Sequence, residues 1–240
     1  IYLNLYSIKT IKDKNLVCLQ IVNNNFSSCH PIIQDQNVIL YCHENETDLF
    51  RLVPFLIDLS VQMKCDIISF DYFGFGCSSG KPKINTLMPN TETIINFILS
   101  LNYSIENIIL FGRGIGAICT IYLASRQDYK NVKGLILLEP VIDKCIIDQN
   151  AMKSILCSTL LIQEIENEDE INENPIILFC RDISDEKEWF PKKKLRKPNM
   201  SSSFFKMVED DLIFRHRRKF ILKLRDYVYI DKEILEKKKL

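Results

Sequence analysis

One segment narrows the possible folds more than any other. Residues 107–111, Asn-Ile-Ile-Leu-Phe, make a short apolar run without polar alternation, and Gly112-Arg113-Gly114-Ile115-Gly116 follows at once. A run that is apolar throughout suits a strand covered on both faces. Three glycines in five residues then permit a turn too tight for residues with side chains. Residues 115–125 resume as an apolar helix. A buried strand, a sharp turn and a helix folded back onto the strand belong to a layered α/β architecture.

The same alternation runs through most of the chain. Strand-like runs are expected at residues 1–8, 15–22, 38–42, 66–71, 107–112, 134–138 and 175–180, with a further candidate at 204–208. Helical periodicity appears between them. One helix is expected with Pro54 in its first turn and an end near Lys64. A second spans 91–101 with Asn90 or Thr91 as its cap. A third is 115–125, and an amphipathic last helix is 211–227. Strand and helix in turn imply a doubly wound, mostly parallel sheet with helices on both faces. No repeat or interdomain linker interrupts the 240 residues, so a single domain over 1–240 is expected, with a basic tail from about residue 231.

The charges balance, with 31 basic and 31 acidic residues. They are not evenly spread: residues 164–173 are acidic, while 192–197, 215–219 and 237–239 are basic. Such blocks read first as solvated faces, with a phosphate- or membrane-contacting patch as the alternative. Nothing here calls for nucleic acid. The nine cysteines stand singly, without a Cys-x-x-Cys pair, and Cys18, Cys42, Cys119 and Cys180 sit in apolar runs. That pattern implies reduced, buried thiols and a cytoplasmic setting. No segment has the length of a membrane span, so any membrane contact is expected to be peripheral. The first residue is Ile1 rather than Met, which leaves room for an upstream targeting or lipidation segment.

The strand–turn–helix segment has the layout of a Gly-x-Ser-x-Gly nucleophile elbow, in which the central serine attacks a carbonyl. Here the centre is Gly114, which has no side chain to attack with. Asp71 to Pro82 also turns through three glycines, but its spacing matches neither a P-loop nor a dinucleotide fingerprint. A structural turn is expected. His43-Glu44-Asn45 follows the strand 38–42, where a backbone N–H would help to form an oxyanion hole. The alternative is an ordinary surface loop. His30, His43 and His216 lack ligand spacing, so neither a metal nor another cofactor is expected.

Residues 71–82 and 104–116, and more weakly 43–49, 132–140 and 175–186, resemble the α/β-hydrolase superfamily. The closest likeness is to the branch of membrane-associated protein depalmitoylases and related serine hydrolases. The resemblance implies an α/β-hydrolase fold without a large lid, and acyl-ester or thioester hydrolysis by a Ser, Asp, His triad. The nucleophile position falls on Gly114, in the elbow Gly112, Arg113, Gly116. The acid position falls on Asp185, with Asp182 second. The histidine position falls on Asp211, and His216, five residues on, lies within a basic helix face. His43, Glu44, Asn45 and Ile115 correspond to the oxyanion site, although relatives carry Gly where this chain has Glu44.

Loss of one triad member costs several orders of magnitude in rate. The combined departures therefore point to a degenerate hydrolase that binds an acyl or anionic ligand, or a protein partner, at the helix beginning near Ile115. Arg113 would add positive charge there. One alternative is an active esterase or thioesterase with a displaced nucleophile, Ser78 being the first candidate beside Cys77, Ser79, Cys42 and Cys180. Another is an interaction module working through the basic C-terminal region.

Overall fold

The computed structural model describes residues 1–10, 13–23, 36–141, 149–165 and 187–193. These contain one sheet of eight strands: β1 (Tyr2–Lys9), β2 (Asn15–Val22), β3 (Val38–Cys42), β4 (Asp66–Phe70), β5 (Ile108–Arg113), β6 (Gly134–Leu138), β7 (Thr159–Ile165) and β8 (Lys187–Lys193). Their spatial order is β1-β2-β4-β3-β5-β6-β7-β8. β2 runs antiparallel to β1 and β4, and every other pair is parallel. The helices are α1 (Leu49–Met63), α2 (Leu87–Ser100), α3 (Gly116–Ser125) and the short α4 (Gln149–Lys153).

Uniformly apolar strands follow from this layering. Side chains alternate across the sheet, and both faces are covered. Val38, Leu40 and Cys42 of β3, with Ile108 and Leu110 of β5, enter the core layer that contains α2 and α3. Ile39, Tyr41, Ile109 and Phe111 enter the opposite layer, under α1. Each buried Leu or Ile contributes about 1.5–3 kcal/mol of transfer free energy. The central strands gain it on both faces, which fixes their register.

Most expected strands appear within a residue of their predicted limits. Two were not anticipated. β7 leads into the acidic run, which masks its short apolar core. β8, Lys-Glu-Trp-Phe-Pro-Lys-Lys, carries the charges and proline typical of an edge strand and so lacks a strand signature. The expected strands 175–180 and 204–208 and the helix 211–227 lie outside the described residues.

Two helix starts are corrected. α1 begins five residues before Pro54, because two carboxylates hold its first turn. Asp48 accepts from the Arg51 N–H at 3.0 Å, and Asp71 accepts from the Leu49 N–H at 2.8 Å. Pro54 is exposed within the helix, past its first turn, and cannot donate to the Phe50 carbonyl. α2 begins at Leu87, so Asn90 and Thr91 are buried interior residues and not caps. The Thr91 hydroxyl donates back to the Leu87 carbonyl at 2.8 Å.

Candidate functional site: a modified elbow

The turn between β5 and α3 is the expected elbow. Gly114 sits at φ +54, its N–H donating to the Leu138 carbonyl at 3.1 Å. Its own carbonyl accepts from Val141 at 3.0 Å and from Ala117 at 3.2 Å. The turn is thus fixed to the end of β6 and to the first turn of α3. A residue with a Cβ in this left-handed region carries strain of about 1–3 kcal/mol, which glycine avoids.

The flanking glycines serve a different purpose. A Cβ on Gly116 would lie 2.0 Å from the Cys42 carbonyl oxygen, and one on Gly112 would lie 2.6 Å from the Ala117 Cα. They let α3 close onto β3 and β5, as the elbow layout requires. At Gly114 the neighbour is Glu44: a Cβ there would stand 3.0 Å from the Glu44 Cβ. Glu44 therefore crowds the place from which a serine would project.

The Glu44 carboxylate does not stand alone. Its Oε1 lies 3.0 Å from Arg113 Nη1, and the two side chains are only 17% and 13% exposed. The expectation that Arg113 offers spare positive charge is corrected: its charge is matched within the elbow. Beneath the pair, burial and the Glu44 charge push the Tyr41 hydroxyl far above the usual phenol range, and Arg113 opposes them. Asn45 is exposed, and Ile115 is half-buried as the cap position of α3.

His43 is fully buried, which rules out the surface-loop reading for it. Its Nδ1 lies 2.7 Å from the Glu44 carbonyl. A carbonyl only accepts, so Nδ1 carries the proton. Nε2 lies 3.6 Å from Asp71 Oδ1, the same oxygen that holds the start of α1. The ring packs on Tyr72 and Phe75, with centroids 4.5 and 5.7 Å away, and the Tyr72 hydroxyl donates to the His43 carbonyl at 2.8 Å. His43 is therefore an anchor for its loop. Asp71 and Tyr72, which hold it, were not anticipated as site residues. Strand register was the available signal, because β3 and β4 pair with a constant offset that brings residue 43 level with residue 71.

The loop from Asp71 to Pro82 is the structural turn expected. Gly74, Gly76 and Gly80 all have positive φ, and a Cβ on Gly76 would overlap Asp71 Oδ2. Ser78, the first candidate for a displaced nucleophile, is buried in this turn. Its hydroxyl donates to the Asp71 carbonyl at 2.7 Å and accepts from the Val17 N–H at 2.8 Å. Ser79 is likewise engaged with both backbone groups of Asn15. Cys42 and Cys119 hydrogen-bond to each other at zero exposure, and burial holds the Cys42 thiol well above its ordinary range. Cys77 is exposed. Asp182, Asp185, Asp211, His216 and Cys180 lie outside the described residues. Among the described residues no cluster could hold a metal ion, and no helix is long and apolar enough to cross a membrane.

No protein-family model matches the chain. It is 35% identical over 122 residues to the mouse (Mus musculus) alpha/beta hydrolase domain-containing protein 17C, a match covering 50% of this chain and 35% of that protein. The Caenorhabditis elegans alpha/beta hydrolase domain-containing protein aho-3 is 33% identical over 112 residues, covering 46% and 33%. The matches thus span about a third of the length of these curated relatives. Among solved structures, the metagenomic carboxylesterase EstE1 superposes with a TM-score of 0.69 at 10% identity, covering 95% of this chain and 89% of that one. A predicted CIB-like hydrolase from Thermoplasma acidophilum gives 0.64 at 14% identity, covering 94% and 99%. The strand order, the elbow and these likenesses agree: the chain has the α/β-hydrolase fold and is similar over half its length to the alpha/beta hydrolase domain-containing proteins 17.

Proposed function

We propose that this chain is a non-catalytic α/β-hydrolase-fold protein that binds a ligand or partner and does not cleave it. The observation that carries the reading is Gly114 at the elbow, in left-handed backbone, with Glu44 crowding the space above it. A hydrolase of this design needs a hydroxyl at that point and donors facing a developing oxyanion. The chain supplies neither a side chain at 114 nor an uncharged residue at 44. Ser78, the alternative nucleophile, is held by two backbone hydrogen bonds.

The Glu44–Arg113 pair also bears on what is bound. A carboxylate already lies beside the N-terminus of α3, which disfavours a small anion there. An acyl chain or a protein partner at the same end of the sheet fits better, with peripheral membrane contact as the setting. The test is exposure of the full chain to fluorophosphonate and to cysteine-directed activity probes. No labelling above a heat-denatured control is expected. Stoichiometric labelling of any serine or cysteine would overturn the reading.

A further inference from the structure

Among the described residues β1 forms one edge of the sheet, and it carries an unusual surface for that position. Its eight residues, Tyr-Leu-Asn-Leu-Tyr-Ser-Ile-Lys, span about 27 Å. They include no proline and a single charge, Lys9, which is already beside Asp13. Tyr2, Leu3 and Leu5 are 62%, 50% and 71% exposed. One face of the strand is served by α2, where Tyr6 meets Phe97 edge-on with ring centroids 4.9 Å apart. On the other face Leu3 lies opposite Ile21 and Leu5 opposite Leu19. Ile21 and Leu19 are buried in the layer under α1, so an apolar surface continues from beneath that helix onto exposed leucines.

Long, apolar, uncharged edges are ones that other strands pair with. The opposite edge is built differently. β8 carries Lys187, Glu188, Lys192 and Lys193, and Pro191 removes a ladder donor. An edge-to-edge contact of β1 with β8 of another molecule is therefore disfavoured, and it would also be open-ended. Pairing of β1 with itself is antiparallel and closes after two copies. It places the two Lys9 side chains at opposite ends of the contact, so no like charges meet. A two-fold axis normal to the sheet keeps equivalent faces together. Centred on Asn4, it sets Leu3 of each copy against Leu5 of the other.

We propose that β1 is a self-association surface, joining two copies of this chain into one continuous sheet. The test is sedimentation velocity on the full chain from micromolar to near-millimolar concentration, with hydrogen exchange read on the β1 amides. A reversible dimer is expected, with β1 exchange slowing as concentration rises. Leu5→Lys should raise the dimer dissociation constant about tenfold or more, and Leu3→Lys with Leu5→Lys should give a monomer. A monomer at every concentration would overturn the proposal, as would a dimer indifferent to Leu5→Lys. So would β1 amides equally protected at all concentrations, which would mean that another part of the same chain covers the edge. The wild-type exchange result decides the matter if the lysine variants fail to fold.

Discussion

Glu44 and Gly114 face one another across the ends of β3 and β5, with the Glu44 Cβ 3.0 Å from where a Cβ on residue 114 would lie. The register explains why. Cys42 pairs with Gly112, so continuing the parallel strands by two residues brings 44 level with 114. The two departures from the hydrolase pattern are thus neighbours in space, and each accommodates the other. A serine at 114 would press on Glu44; a glycine at 44 would remove the carboxylate that lies 3.0 Å from Arg113.

Gly114→Ser is therefore expected to destabilise the fold by about 1–3 kcal/mol, from left-handed backbone strain together with crowding. Adding Glu44→Gly removes the crowding but also the contact with Arg113, so its effect is read against Glu44→Gly alone. Urea melts of the three variants separate crowding from backbone strain: Gly114→Ser should cost less in the Glu44→Gly background than in the wild type. Unchanged or increased stability in Gly114→Ser would contradict the reading.

The ion pair should behave as a unit. Removing either charge alone, by Glu44→Gln or Arg113→Met, breaks a mostly buried charged contact and should cost about 1–3 kcal/mol. The double variant should cost clearly less than the sum. A strictly additive double-mutant cycle would show that the contact at 3.0 Å contributes no coupling.

Ser78→Ala tests whether that hydroxyl is structural. It removes the hydrogen bond to the Asp71 carbonyl and leaves the Val17 N–H without its acceptor. A loss of about 1–3 kcal/mol is expected, with no change in any acyl-transfer assay. A fall in activity at constant stability would reinstate Ser78 as a reacting group.

Asp66 gives the stability a pH dependence of known sign. Burial raises its carboxyl above the ordinary range, against hydrogen bonds from Tyr103 and the Asn23 N–H that lower it. The folded state thus holds this proton more tightly than the unfolded chain. Its contribution is fully present below the unfolded carboxylate range and is lost as pH rises through the raised folded value. Asp66→Asn should remove that part of the slope, as measured by chemical melts across the acid range. An unaltered slope would mean that other groups carry it.

Much of this was legible in the residues. The uniformly apolar runs gave β3 and β6 to the residue, because burial on both faces leaves no polar position to blur the limits. The glycine spacing located the elbow, since only glycine tolerates the approach of Gly116 to the Cys42 carbonyl. What stayed hidden were relationships between distant segments. The start of α1 was only half legible: Asp48 caps it locally, whereas Asp71 caps it from 22 residues away. Arg113 read as added positive charge because its partner Glu44 lies far off in the sequence, in the loop after β3. β8 was masked by the charges and proline that guard an edge.

The central claim is that this elbow has no reacting atom. Its most direct test is steady-state hydrolysis of a series of acyl esters and acyl thioesters by the purified full chain. The account predicts rates indistinguishable from the protein-free blank across the series. Turnover that saturates with substrate and persists through repurification would contradict it.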